Sequence, residues 1–263
     1  MNASDLPAPI DCAHWETGEG EPLFLIHGIG ASHATWDGVV NALDGRYRCI
    51  TYDLRGHGIS PLPDGTFQLD ALVADLEALR VKLGIESAHV AGHSLGGMIG
   101  PAYARCFPER VRSLGLLSTA AGRTEEDSRK VQGVVAAMER DGIPNILSTL
   151  VDRWYTDDFA ARNPEKVQAR LDQITGMSAE VFLNVFHIYA ETEMAPWLHE
   201  VKAPSLVLTG ELDGGCNPRL NRFIHETLPD SELVILEGLK HSILMEAPEK
   251  VAEHMDRFIR SRA

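Results

Sequence analysis

The chain reads as an α/β protein built on a mostly parallel central sheet with helices on both faces and one inserted helical block. Three observations carry this. Short apolar, β-rich runs alternate with helical periods through the first 121 residues; this is the pattern of strands buried on both faces. The rhythm then stops, and residues 122–198 read as helical with no convincing strand. Two further apolar runs and a final helix follow. The expected division is therefore a core domain of residues 1–121 and 199–263, with a helical cap of residues 122–198 over the carboxyl ends of the strands, where open α/β sheets bind ligands.

The first runs are residues 23–26 (Leu-Phe-Leu-Ile) and 49–52 (Cys-Ile-Thr-Tyr). Between the second and third runs Leu69, Leu72, Val73, Leu76, Leu79 and Leu83 fall at helical spacing, with Gly84 as a stop. Asp75, Glu77, Arg80 and Lys82 are assigned to the opposite, solvent face. The third and fourth runs are residues 88–91 and 111–117; the last two are 205–208 and 233–236. Pro248 opens a helix to about residue 260, with Val251, Met255, Phe258 and Ile259 inward.

Composition narrows the function. The 263 residues are 44% apolar and 24% charged, ordinary for a globular protein. The 38 acidic against 24 basic residues give a net charge of −14, which repels phosphate backbones and anionic membrane surfaces and argues against both as partners. Cys12, Cys49, Cys106 and Cys216 lack metal-ligand spacing and read as reduced thiols. The first 21 residues lack a basic start followed by an apolar run, and no run of about 18 apolar residues occurs. The expectation is a cytoplasmic protein acting on a small molecule.

The chemistry starts at Gly92-His93-Ser94-Leu95-Gly96. The pentapeptide directly follows the third strand and opens a helix, the strand–turn–helix setting of a nucleophile elbow. Small residues beside the serine let the turn close. A serine hydroxyl is a poor nucleophile until a positioned base takes its proton, and after such an elbow the acid and then the histidine follow along the chain. His241 comes after the last strand and before the last helix, so it is the expected base; His57 and His93 are harder to dismiss than the other histidines. Asp213, in Thr209-Gly210-Glu211-Leu212-Asp213, is the expected acid, with Glu211 its local competitor. Acyl transfer also needs backbone donors for the developing oxyanion. The amides of Leu95 and of Ile29, in His27-Gly28-Ile29-Gly30, are the candidates, with His27 bracing the loop.

Taken together, these motifs and Asp53-Leu54-Arg55-Gly56-His57-Gly58-Ile59-Ser60 resemble the α/β-hydrolase superfamily in order and spacing. Within it the chain looks most like 3-oxoadipate enol-lactonases, through Arg153-Trp154-Tyr155-Thr156, Phe159-Ala160 and Asn163-Pro164, although His93 and Leu95 stand where those enzymes carry leucine and methionine. The resemblance implies an α/β-hydrolase fold with a helical cap, a Ser-His-Asp triad cleaving a small ester or lactone through an acyl-enzyme, and neither cofactor nor metal. It also implies that the Asp53–Ser60 segment is structural and that Arg153 or Trp154 faces the ligand. Ser94 argues against haloalkane dehalogenases and epoxide hydrolases, which use aspartate at the elbow. Carbon–carbon bond hydrolases of ring-cleavage products, cofactor-free perhydrolases or haloperoxidases, and a small-molecule receptor of the same fold stay open as alternatives.

Overall fold

The computed structural model describes residues 3–262. Seven strands form one sheet: β1 (His14–Thr17), β2 (Glu21–Ile26), β3 (Tyr47–Tyr52), β4 (Ala88–His93), β5 (Val111–Leu117), β6 (Ser205–Gly210) and β7 (Ser231–Leu236). Their spatial order is β1-β3-β2-β4-β5-β6-β7. Only β1 is antiparallel, pairing β3 from His14 opposite Tyr52 to Thr17 opposite Cys49.

This order places the functional loops. From β2 the chain moves outward to β3, then crosses back so that β4 pairs with the other edge of β2. The loops leaving β2 and β4 therefore emerge side by side where the winding direction reverses, the crevice in which open α/β sheets hold ligands. β4 occupies the middle of the sheet, and all six of its residues are buried.

Alternation along the strands divides the core into two layers, because successive side chains point to opposite faces. Phe24, Ile26, Ile50, Val90, Leu114 and Leu116 join the layer under the Leu69–Lys82 and Gly96–Cys106 helices. Leu23, Leu25, Cys49, Ala91, Leu117 and Leu208 join the other, which is closed by Val251, Met255, Phe258 and Ile259 of the Pro248–Arg260 helix.

One sequence assignment is corrected. Asp75 and Arg80 were expected on the solvent face of the Leu69–Lys82 helix, yet both are buried. Arg55 takes Asp75 in a two-pronged ion pair, Nη2–Oδ1 at 2.6 Å and Nε–Oδ2 at 2.7 Å, and Ile10 N–H donates to the same carboxylate at 2.9 Å. A buried carboxylate needs such partners, and they come from segments whose approach helical spacing does not reveal. Arg80 likewise turns back to donate to Glu77 and to the carbonyl of Ile85.

Between β5 and β6 lie five α-helices: Glu125–Asp141, Ile143–Trp154, Asp157–Arg162, Pro164–Gly176 and Ala179–Glu191. They have an apolar core of their own, including Val135, Met138, Leu147, Leu150, Ile174 and Phe182, against which Ile29 packs from the β2 loop. Among the described residues, no helix is long and apolar enough to cross a membrane.

Candidate active site

Ser94 sits immediately beyond the last residue of β4, with φ of +57°. A side-chain-bearing residue rarely occupies this left-handed region unless its surroundings over-determine it. Here they do. Ser94 N–H donates to the carbonyl of Leu117 on the neighbouring strand at 2.9 Å, and the Ser94 carbonyl accepts from Gly97 N–H at 3.0 Å. The glycines on either side are required by close approach: a Cβ on Gly92 would collide with the carbonyl of Gly96, and one on Gly96 with that of Ile26. Leu95 follows at the N-terminus of the Gly96–Cys106 helix, where unpaired amides and the helix dipole favour negative charge.

His241 Nδ1 donates to Asp213 Oδ2 at 2.7 Å. The other carboxylate oxygen of Asp213 accepts from the amides of Gly215 at 3.0 Å and Cys216 at 2.8 Å. Burial opposes charge on both groups, but the pair overrides it: the carboxylate raises His241 above the usual imidazole range, and the imidazole with the two amides lowers Asp213. Glu211, the competing acid, is exposed and accepts from Gly238 N–H instead. The two loops carrying the pair are held together by backbone, with Glu211 N–H donating to Leu236 and Leu212 N–H to Leu239.

The other two candidate histidines are engaged elsewhere. His93 Nε2–H donates to the backbone carbonyl of His241 at 2.9 Å, so it holds the loop that carries His241. His57 Nδ1–H donates to the carbonyl of Arg55 at 3.0 Å, while its Nε2 accepts from Gly30 N–H at 3.1 Å. His27 is fixed in the same way, Nδ1–H to the Gly28 carbonyl at 2.8 Å and Nε2 from Leu54 N–H at 3.0 Å. The His57 and His27 patterns require a neutral ring, because one nitrogen accepts, and burial lowers all three: His57 to about 4, His93 to about 3, and His27 well below its ordinary value. The Asp53–Ser60 segment is likewise internally tied. Asp53 accepts from the amides of His33 and Ile59, and Ser60 Oγ–H donates to the Asp53 carbonyl.

A cavity of about 470 Å³ gathers these parts. Gly28, Ile29, Ser94, Asp213 and His241 line it from the sheet side; Leu150, Arg153, Trp154, Arg170 and Phe186 line it from the helical block. The sequence candidates Ser94, Asp213, His241, Ile29, Arg153 and Trp154 are thus all on its wall, with the fully buried Leu95 just behind it. Gly28 presses directly on the serine: a Cβ there would stand 2.9 Å from the Ser94 Cβ. Arg153 is exposed at the wall, and Trp154 lies with its ring 5.4 Å from the guanidinium carbon of Arg170.

Sequence reasoning missed Arg170 and Cys216. Arg170 stands in the amphipathic Pro164–Gly176 helix among other polar residues, and nothing in its spacing sets it apart. Cys216 directly follows the Gly214-Gly215 pair and is buried, with Sγ 3.2 Å from the Tyr189 hydroxyl. Among the described residues Asp213, Cys216 and His241 form the one group whose possible metal-ligand atoms all lie within 4.8 Å of one another. The carboxylate in it already accepts from two amides and an imidazole.

Comparison with known proteins agrees with this architecture. The sequence profile of the alpha/beta hydrolase fold family matches residues 21–248. The chain is 30% identical over 227 residues to 3-oxoadipate enol-lactonase 2 of Acinetobacter baylyi, covering 86% of this chain and 84% of that one. A thermophilic esterase from Thermogutta terrifontis superposes with a TM-score of 0.86 at 27% identity, over 96% of this chain and 94% of the esterase. The enol-lactonase from Burkholderia xenovorans LB400 shares the fold at a TM-score of 0.86 and 23% identity, over 95% and 96% of the two chains. The chain therefore belongs to the α/β-hydrolase fold family.

Proposed function

We propose that this hydrolase cleaves a small carboxylic ester or lactone through an acyl-enzyme on Ser94. The observation that carries the reading is the convergence of three separate chain segments on one cavity: a serine strained at φ +57° past the central strand, and a histidine whose far nitrogen is held by a buried carboxylate. Because Asp213 holds Nδ1–H, His241 keeps Nε2 as its free base.

In this reading His241 Nε2 takes the Ser94 proton as Oγ attacks the substrate carbonyl. The Ile29 and Leu95 amides receive the oxyanion. Collapse of the tetrahedral intermediate breaks the carbon–oxygen bond, and the His241 imidazolium returns the proton to the leaving alkoxide. Water then attacks the acyl-enzyme with His241 again as base, restoring Ser94. In a lactone the alcohol stays tethered to the acyl group, and the product is one hydroxy acid. The similarity to an enol-lactonase and an esterase supports both substrate forms. Arg153 and Trp154 are assigned to the substrate because they line the same cavity as Ser94, the arginine suited to a carboxylate on the ligand.

The test is turnover of chromogenic short-chain esters and small lactones by the wild type and by Ser94→Ala. The reading expects hydrolysis well above background that falls at least about 10³-fold in the variant. Stoichiometric binding without turnover in the wild type would favour a receptor instead.

A further inference from the structure

The loop that carries the Ile29 amide is held from two sides. From the sheet domain, His57 Nε2 accepts from Gly30 N–H at 3.1 Å, and the Gly28 carbonyl accepts from His27 Nδ1–H at 2.8 Å. From the helical block, Arg170 reaches down from the Pro164–Gly176 helix. Its Nη2 donates to the Ile29 carbonyl at 2.7 Å and its Nη1 to the Gly30 carbonyl. A trans peptide is planar, with N–H and C=O pointing in opposite directions. The Gly28–Ile29 peptide is thus fixed at its oxygen, and the Ile29–Gly30 peptide at both ends. Fixing two successive peptide planes leaves the backbone at Ile29 no freedom, and the direction of its amide is set.

The arginine is unusual in having no carboxylate. Its hydrogen-bond partners are the two loop carbonyls and the Gln173 side-chain oxygen at 3.0 Å, and Trp154 stacks against it. Among the described residues no carboxylate lies within ion-pair distance of it. Burial pulls the guanidinium down to about 10, a cost that an arginine serving only as surface solvation does not bear. The packing beneath tells the same story. Gly30 has φ of +64°, and a Cβ there would stand 2.7 Å from the Phe182 ring and 3.2 Å from Ile174, both in the block. The oxyanion loop is therefore seated under the block and bonded to it.

We propose that Arg170 is a positioning residue for the oxyanion hole, so that the helical block completes the catalytic geometry as well as shaping the pocket. This rests on the hydrolase reading above. Arg170 does not touch the reacting atoms; it acts through the Ile29 and Gly30 carbonyls. Its loss lets the loop sample other conformations and takes one oxyanion donor out of line, which lowers transition-state stabilisation without changing ground-state binding.

The experiment compares wild type with Arg170→Met and Arg170→Lys on two matched esters, one neutral and one bearing a carboxylate. It also measures the affinity of a neutral trifluoromethyl ketone that forms a tetrahedral adduct. The proposal expects Arg170→Met to lower kcat about 10–100-fold on both esters with KM changed less than about threefold. Ketone affinity should fall by a similar factor, and Arg170→Lys should recover part of both losses. Circular dichroism and thermal unfolding check that each variant is folded. A loss confined to the carboxylate ester and expressed in KM would make Arg170 a substrate ligand and overturn the proposal. So would a folded Arg170→Met with unchanged kcat. If Arg170→Met does not fold, Arg170→Lys and Arg170→Gln decide by the same split between kcat and KM. A wild type with no Ser94-dependent turnover defeats the hydrolase reading itself, a distinct result from full wild-type turnover that Arg170 variants leave intact.

Discussion

His93 Nε2–H donates to the backbone carbonyl of His241 at 2.9 Å, across 148 residues of chain. The residue before the serine thereby holds the loop that carries His241, and the two rings lie 4.8 Å apart between centroids. His93→Ala should leave the fold intact but loosen that loop. The expected result is a fall in kcat of about tenfold, with KM little changed, in steady-state hydrolysis of a short-chain ester.

The pair of His241 and Asp213 predicts the pH profile. The carboxylate raises the imidazole above its ordinary 6.5, and protonated His241 cannot accept the serine proton. Activity should therefore fall as pH decreases through that raised value, and the acid limb of kcat/KM should lie above pH 6.5. Asp213→Asn removes the charge that raises the ring. It should move the limb to lower pH and reduce kcat by about 10³–10⁴-fold.

Gly28 sets the gap between the β2 loop and the serine. A methyl group there would stand 2.9 Å from the Ser94 Cβ and 3.2 Å from the His93 carbonyl, so the loop must retreat. Gly28→Ala should keep a thermal unfolding transition close to that of the wild type while kcat drops about 10–100-fold, because the Ile29 amide withdraws from the oxyanion.

The buried neutral histidines predict acid sensitivity of the fold. His57 is lowered to about 4 by burial, and its Nε2 must stay unprotonated to accept from Gly30. In the unfolded chain it titrates near 6.5. Below that value the unfolded state binds a proton that the folded state refuses. Stability is thus complete above about 6.5 and is lost as pH falls toward 4, at up to about 1.4 kcal/mol per pH unit for each such histidine. His241 has the opposite sign: its contribution is present below about 6.5 and lost as pH rises through its raised value. Urea unfolding between pH 7 and 5 should show declining stability, with a shallower slope in His57→Gln.

Arg153 tests substrate contact at the cavity wall. Its exposed guanidinium is screened by water. Arg153→Ala should therefore raise KM only about two- to fivefold for an ester carrying a carboxylate and leave KM for its neutral counterpart unchanged.

Much of this arrangement is legible in the sequence because each part has a local cause. The elbow shows as a glycine-flanked serine between an apolar run and a helix, and β4 and the Gly96–Cys106 helix lie there. The start of the last helix at Pro248 and its apolar stripe are written in the same local terms. What the sequence hides is contact between distant segments. β1 escapes because His14-Trp15-Glu16-Thr17 has no apolar run; it is half-exposed and held to the edge by pairing with β3. Asp75 reads as a solvent-facing acid until Arg55 is seen beside it. Arg170 reads as one more cation on the Pro164–Gly176 helix until its guanidinium is found on the Ile29 and Gly30 carbonyls.

The most direct measurement is the site of covalent modification by a fluorophosphonate, read by peptide mass spectrometry. A single adduct on Ser94 is expected, forming faster as pH rises and slowed at least about 10²-fold in His241→Gln. Modification at another serine, or a Ser94 that stays unmodified while ester is still hydrolysed, would contradict the account.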